Sequence, residues 1–366
     1  MVKNKGKISV RQALTLFAIL TITPTVRFAA SSTALIAKQA AWLVPTITAV
    51  FLFLMLYILN ILLQGYKNKS FTEMLYDITS KFWGNLIIFL YLVWITILIA
   101  FYLRFYSERL VTSIYPNVKI DIFTISMLIL IGFIIRNGIV VIARMGEIFF
   151  ILISIVILVL MIFMIPTIEI NNLLPISYLD IMPTLKASFS GAALFYLVYL
   201  FFFAHEFTHQ EEFFKYGKLT LLFIWLFNTV IILVSIGNLG HAIISRSPLS
   251  FLIAVKQVTL LGVVSGFESI LVATWIISDF IMILVLTYSV LNIIKSLFKL
   301  SSYNSFINIF LVLLFLLSWI LANNVFELQT LSVDMVVQGN LFMQFILPII
   351  IVVIALIRKK INFKTN

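Results

Sequence analysis

The stretch Thr21-Ile22-Thr23-Pro24-Thr25-Val26-Arg27 lies in the middle of an apolar run from about residue 12 to about residue 36. Roughly 20 apolar residues is the length of an α-helix that crosses a bilayer. Pro24 removes one helix hydrogen bond, and the threonines beside it carry hydroxyls that can re-satisfy freed backbone groups. Arg27 places a charge where lipid makes charge costly. The stretch is therefore expected to break a membrane helix at mid-depth, with polar side chains at the break.

The rest of the chain has the same character. Of its 366 residues, 63% are hydrophobic and 11% are charged. Ordinary soluble domains hold about 45–50% and about 25%. No soluble core hides so much apolar surface, so lipid must cover much of it, and the 35 phenylalanines suit bulky lipid-facing exteriors. The absence of cysteine excludes disulfides, thiolate nucleophiles and Cys-ligated metals. A net charge of +11 would suggest a nucleic-acid surface if it were gathered on one face. It falls instead in short connections between apolar runs, so no nucleic-acid partner is expected. The basic start (Lys3, Lys5, Lys7, Arg11) leads into the first run without a convincing small-residue cleavage site, so that run reads as the first span rather than a signal peptide.

Candidate spans fall near residues 12–36, 42–63, 84–113, 121–139, 145–165, 184–204, 219–240, 267–294, 304–323 and 341–358. The chain thus reads as an all-α polytopic membrane protein with about ten transmembrane helices. The segment 166–183, with Pro166, Pro175 and Pro183, reads as an external loop. So does 241–266, broken by Pro248, Gly262 and Gly266 and holding a short surface helix. An even number of spans puts both termini on one side. Most of the 25 Lys and Arg fall on that side, in the termini and in the connections holding Lys67, Lys69, Lys81, Arg136, Arg144, Lys215, Lys218, Lys295 and Lys299. The opposite face holds few, among them Lys38, Lys119 and Lys186. This bias predicts cytoplasmic termini.

Polar residues inside spans need reasons. A helix broken at mid-membrane beside polar groups is a ligand-site pattern, so Thr23, Pro24, Thr25 and Arg27 are candidates for one. The plainer alternative is a proline kink with Arg27 paired to an acidic residue. The sixth span opens on Ser188-Phe189-Ser190-Gly191-Ala192-Ala193. Those small residues mark either a second discontinuous helix or a close helix–helix contact. In the third span, Arg104 and Glu108 are four apart and can pair, while Tyr102 and Glu108 could instead line a polar pathway. The eighth span carries Glu268 near its outer end and Thr274, Ser278 and Asp279 deeper. Asp279 should face a partner or a wet cavity, and Arg27 is that partner if the first and eighth helices touch.

His205-Glu206-Phe207-Thr208-His209 matches the H-E-x-x-H zinc pattern, which on a helix puts two imidazoles on one face with Glu206 as general base. No third ligand follows in a familiar place, so a solvated, charged helix end is the expected reading, with no metal and no cofactor. An intramembrane zinc protease is a remote alternative. There is no Walker loop and no dinucleotide-binding glycine pattern, so any transport would be secondary.

Several stretches together carry a resemblance. Lys7-Ile8-Ser9-Val10-Arg11-Gln12 leads into the first span, and Ala37-Lys38-Gln39-Ala40-Ala41-Trp42-Leu43 opens the second. Arg136-Asn137-Gly138-Ile139 and Ala143-Arg144-Met145-Gly146-Glu147 join the fourth and fifth. Ser247-Pro248-Leu249 precedes Gly266-Phe267-Glu268-Ser269 and Trp275-Ile276. In this order and spacing, from about residue 7 to 358, the chain resembles the B subunit of bacterial spore germinant receptors, the endospore germination permeases.

That family is similar to amino-acid/polyamine/organocation transporters. The resemblance implies a leucine-transporter-type fold of 5+5 inverted repeats (about 8–165 and 184–358), with helices 1 and 6 discontinuous. It also implies a spore inner-membrane location, A and C receptor subunits as partners, and a small nutrient, often an amino acid, as germinant. Carried over by position, the pocket would lie between Thr23–Arg27 and Ser190, Gly191 and Ala192, with Tyr102 and Thr274 as further walls. One departure stands out. Such permeases usually carry glycine at the first break, and this chain reads Thr-Pro-Thr-Val-Arg. A secondary amino-acid transporter coupled to H⁺ or Na⁺ is the competing function.

Overall fold

The computed structural model describes residues 6–247, 249–257 and 266–361. Helix α1 (Val10–Ala37) starts at a capping box, in which Ser9 takes the Gln12 backbone N–H and the Gln12 side chain takes that of Ser9. Helices α2 (Val44–Gly65), α3 (Phe71–Ile78), α4 (Lys81–Ser113), α5 (Ile120–Ile135) and α6 (Ile139–Met164) follow. Then come α7 (Ile181–Ala192), a 3₁₀ run (Leu197–Glu206), α8 (Phe213–Ile244), α9 (Ser250–Lys256), α10 (Phe267–Leu297) and α11 (Asn304–Leu321). The last helix, α12, is Val325–Ile357.

Eight segments are long and apolar enough to cross a membrane; the first, Val10–Gly65, contains both α1 and α2, and α5 is apolar but shorter. Helix α1 is buried along nearly its whole length and packs against α6, α7, α8 and α10. A helix apolar on all sides is one that sits inside a bundle. By contrast, α11 keeps Ile309, Val312, Trp319 and Ile320 at the protein surface, where lipid replaces protein neighbours.

The expected break in the first helix is absent: α1 runs through Pro24 as one helix. Two features explain this. The Thr23 hydroxyl donates to the Ile19 carbonyl at 2.6 Å and the Thr25 hydroxyl to the Thr21 carbonyl at 2.6 Å, so this turn is bonded on both sides of the proline. The helix also contains no glycine, the residue that most easily leaves helical dihedrals.

The sixth span behaves differently. Helix α7 ends at Ala192, the chain turns through 193–196, and the 3₁₀ run follows. Ile8–Ser9 pairs in parallel with Phe207–Thr208, so the start of α1 and the end of that run lie at the same end of the bundle. The C-terminal end joins them there. Lys360 pairs with Asp77 at 2.9 Å, and Arg358 donates to the carbonyls of Ile78 and Thr79.

Two further expectations change. The short helix in 241–266 is not on the surface: Ser250, Phe251, Ala254 and Val255 of α9 are buried, because its apolar side packs on α1, α6, α8 and α10. Pro248 and Gly262, used to read that segment, and Lys3, Lys5 and Lys364 of the charge pattern lie outside the described residues. The tenth span begins not near 341 but at Val325. Its first half carries Asp334, Gln338, Gly339 and Asn340, which lower its hydropathy, and π-helical turns at Ser332–Val336 and Phe342–Ile346 reset its faces.

Candidate functional site

Three charged side chains meet deep in the bundle. Arg27 of α1 and Arg109 of α4 each donate through Nη2 to a different oxygen of Asp279 on α10, and all three side chains are at most 1% exposed. Thr23 also reaches the Ser278 carbonyl at 3.5 Å, so α1 and α10 are joined at adjacent levels. The Arg109 guanidinium lies 5.0 Å from the centre of the Trp275 ring, one turn before Asp279 on the same helix face. Two guanidiniums on one carboxylate leave a formal charge of +1 in the interior. Arg27 is thus paired rather than free, as the plainer alternative had it. Arg109 is drawn into the same cluster although it stands only five residues beyond Arg104.

Beside the cluster lies a polar aromatic network. The Tyr102 and Tyr196 hydroxyls bond each other. Asn340 donates to the Tyr196 hydroxyl at 3.2 Å and accepts from the Tyr199 hydroxyl and the Trp94 indole, both at 3.0 Å. Gly339 makes this possible: a β-carbon there would stand 2.0 Å from the Trp94 ring. Tyr196 and Tyr199 enter through the interruption after α7, which turns their rings inward.

A cavity of about 260 Å³ stands over this network. Its walls are Phe28, Ser31, Ser32, Leu35 and Ile36 of α1, Ser190 of α7, Ala193 and Leu194, Ser245 to Ser247, and the face of α12 from Gln329 to Asn340. Tyr102 forms part of the wall, and its hydroxyl is bonded to that of Tyr196. The cavity is built on the C-terminal half of α1, away from the end at which Ile8–Ser9 pairs with Phe207–Thr208.

Of the residues singled out from sequence, Tyr102 and Ser190 line this cavity. Thr23, Pro24, Thr25 and Arg27 lie below it in an unbroken, buried helix. Gly191 is a packing residue: a β-carbon there would come within 2.8 Å of the Thr48 hydroxyl of α2. Ala192 is buried at the end of α7, and Thr274 spends its hydroxyl on the Ile270 carbonyl at 2.8 Å. Arg104 pairs with Glu108 at 2.7 Å and reaches the Asn323 carbonyl, an ion pair away from the cavity walls. Glu268 is half-buried in the first turn of α10 and forms no ion pair among the described residues. Sequence reasoning did not single out Asn340, Gln344, Tyr196, Tyr199, Trp94 or the serines at 31 and 32. Asn340 and Gln344, each fully buried, carried a usable signal as amides at the edge of an apolar run.

The zinc pattern fails on geometry. His205 and Glu206 end the 3₁₀ run, Phe207–Thr208 is extended, and His209 has left-handed backbone (φ 57°), so the imidazoles do not share a helix face. Glu206 instead accepts the Tyr288 hydroxyl at 2.8 Å. No group of three or more His, Cys, Asp or Glu suited to a metal ion occurs among the described residues.

This architecture is shared with solved transporters. MhsT, in complex with L-phenylalanine, superposes with a TM-score of 0.66 at 14% identity, over 96% of this chain and 99% of that one. Mhp1, a nucleobase-cation-symport-1 family transporter in a closed conformation with bromovinylhydantoin bound, gives a TM-score of 0.60 at 14% identity, over 98% and 82%. The chain therefore has the leucine-transporter-type fold, and its long apolar helices make it an integral membrane protein. Residues 7–326 match the family described as spore germination protein, and the chain belongs to that family. A comparison with curated proteins returns no match.

Proposed function

We propose that this protein is the membrane subunit of a nutrient germinant receptor in the spore inner membrane. It binds a small nutrient, such as an amino acid, in the cavity above Tyr102, and works beside A and C partner subunits with both termini in the cytoplasm. The observation that carries the reading is the cavity itself. It is lined by α1, α4, α7 and α12, and it combines an apolar wall with hydroxyls of Tyr102, Ser31, Ser32 and Ser190. A mostly apolar pocket with a few convergent polar groups is the usual form of a small-molecule site. Membership of the germination family supports the sensing role.

The test uses spores. Spores lacking this gene should lose their response to one or a few nutrients in a panel of amino acids and sugars. Tyr102→Phe and Ser190→Ala in the intact gene should raise the nutrient concentration needed for a half-maximal response by roughly tenfold, the scale of one lost hydrogen bond. An unchanged dose–response in both variants would remove the cavity from the sensing step. The transporter fold favours one competing reading, a secondary transporter coupled to H⁺ or Na⁺. Ion-dependent flux of the same nutrient in reconstituted liposomes would establish that reading.

A further inference from the structure

We propose that the Arg27–Asp279–Arg109 cluster is a binding site for one small monovalent anionic group, at the junction of α1, α4 and α10. The argument begins with charge. Asp279 uses one oxygen for Arg27 and the other for Arg109, so its capacity to neutralise is spent on two cations. The remaining formal charge of +1 sits among side chains at most 1% exposed, where an uncompensated charge is costly.

Hydrogen bonding makes an independent case. Nε and Nη1 of Arg27, Nε and Nη1 of Arg109 and Nε1 of Trp275 are buried and have no hydrogen-bond partner among the described residues. Buried donors of this kind are normally satisfied. Both guanidiniums are anchored to one carboxylate, and the Trp275 ring lies against Arg109, so all these donors belong to one small volume. Every group in this set donates and none accepts. That selects an acceptor-only ligand with a single negative charge. A cation would meet two guanidiniums, and a dianion would overshoot the charge.

Two sources supply such a group, a free inorganic anion such as chloride or the carboxylate of an organic ligand. The inference does not rest on the nutrient reading, and its test uses salts alone, so its failure leaves that reading untouched. The full-length protein is purified in detergent and melted at constant ionic strength in potassium chloride, potassium acetate or potassium gluconate, whose anion is too large for a site of this kind. The expected result is a melting temperature several degrees higher in chloride or acetate, rising with concentration to a plateau, as for a ligand that binds only the folded state. Chloride acting alone identifies a free inorganic anion, and acetate acting alone identifies a carboxylate site.

Arg109→Gln and Arg27→Gln each leave a neutral pair on Asp279, so both should erase the difference between salts, whereas Arg109→Lys should retain it. Two variants ask the same question, so one that fails to fold does not block the test. Equal melting temperatures in all three salts for the unsubstituted protein would overturn the proposal. A salt difference of unchanged size in either glutamine variant would also overturn it.

Discussion

Asp279 is one carboxylate shared by two buried guanidiniums, which makes it more exposed to substitution than either partner. In Asp279→Asn two cations would face each other with no anion, whereas Arg109→Gln leaves the Arg27 pair intact. Breaking a buried pair from one side costs about 3–5 kcal/mol. Asp279→Asn should therefore abolish recovery of folded protein in detergent, measured as the monodisperse fraction on size exclusion, while Lys360→Gln, at the solvated pair with Asp77, should leave it nearly unchanged. Gly339→Ala is a second sensitive point. Its new methyl would collide with the Trp94 ring and pull the indole from Asn340 and Tyr199. Overpacking of this kind costs roughly 1–3 kcal/mol, visible as a lower melting temperature with a shifted tryptophan emission. At this scale the sequence made Arg27 and Asp279 legible, because ionisable groups in spans stand out. Arg109 carried no assignment from sequence, because its partner lies 170 residues away on another helix.

The elements divide by whether their boundaries are written in local chemistry. The start of α1 is, since Ser9 and Gln12 form a capping box, and so is α3, where Ser70 and Glu73 form another. The course of α1 through Pro24 is not. A proline lowers the local helix preference by about 3 kcal/mol, and the packing of α6, α7, α8 and α10 around it adds to the local threonine bonds in keeping the helix whole. Pro24→Ala should accordingly keep or raise thermal stability, since alanine restores an N–H for the Leu20 carbonyl. A marked loss of stability would show that the proline is needed for the helix to pack. The tenth span starts earlier than hydropathy predicts because exposed Gln338 beside Gly339 and the buried Asn340 resembles a loop when read by hydropathy alone.

The end of α12 is also tied by chemistry that hydropathy does not report. Asp77 of α3 accepts the Tyr66 hydroxyl at 2.7 Å and pairs with Lys360. The tyrosine hydrogen bond first, and then the lysine, hold its carboxyl below the usual carboxylate range. A depressed folded-state pKa gives stability that is complete above the ordinary value of about 4 and is lost as pH falls through the lowered one. The pair is solvated and worth less than about 1 kcal/mol. Its loss should therefore appear as faster amide exchange at 358–361 when acid is compared with neutral pH, without global unfolding. Asp77→Asn should show that faster exchange already at neutral pH.

For the whole molecule, the alternation of basic residues predicts that both termini share one end, and the first and last described segments lie close together: Ile8–Ser9 pairs with Phe207–Thr208, the neighbouring Gln210 is bonded by Gln64 and Asn68, and Lys360 pairs with Asp77 of the α3 that follows. Which side of the membrane that end faces follows from charge, not from packing, because a bundle is equally well packed in either orientation. The chain offers a clean way to ask. It has no cysteine, so a single introduced thiol is the only one present. Lys38 and Lys119 are exposed on the face expected to be external, while Lys69 and Lys299 are exposed on the face expected to be cytoplasmic. All four are surface lysines in connections between helices, so replacement should cost well under about 0.5 kcal/mol. In intact cells expressing the protein, a membrane-impermeant maleimide should label Lys38→Cys and Lys119→Cys directly. It should label Lys69→Cys and Lys299→Cys only after permeabilisation. The reverse pattern would invert the molecule and turn the cavity above Tyr102 toward the cytoplasm, where it could not meet a nutrient arriving from outside.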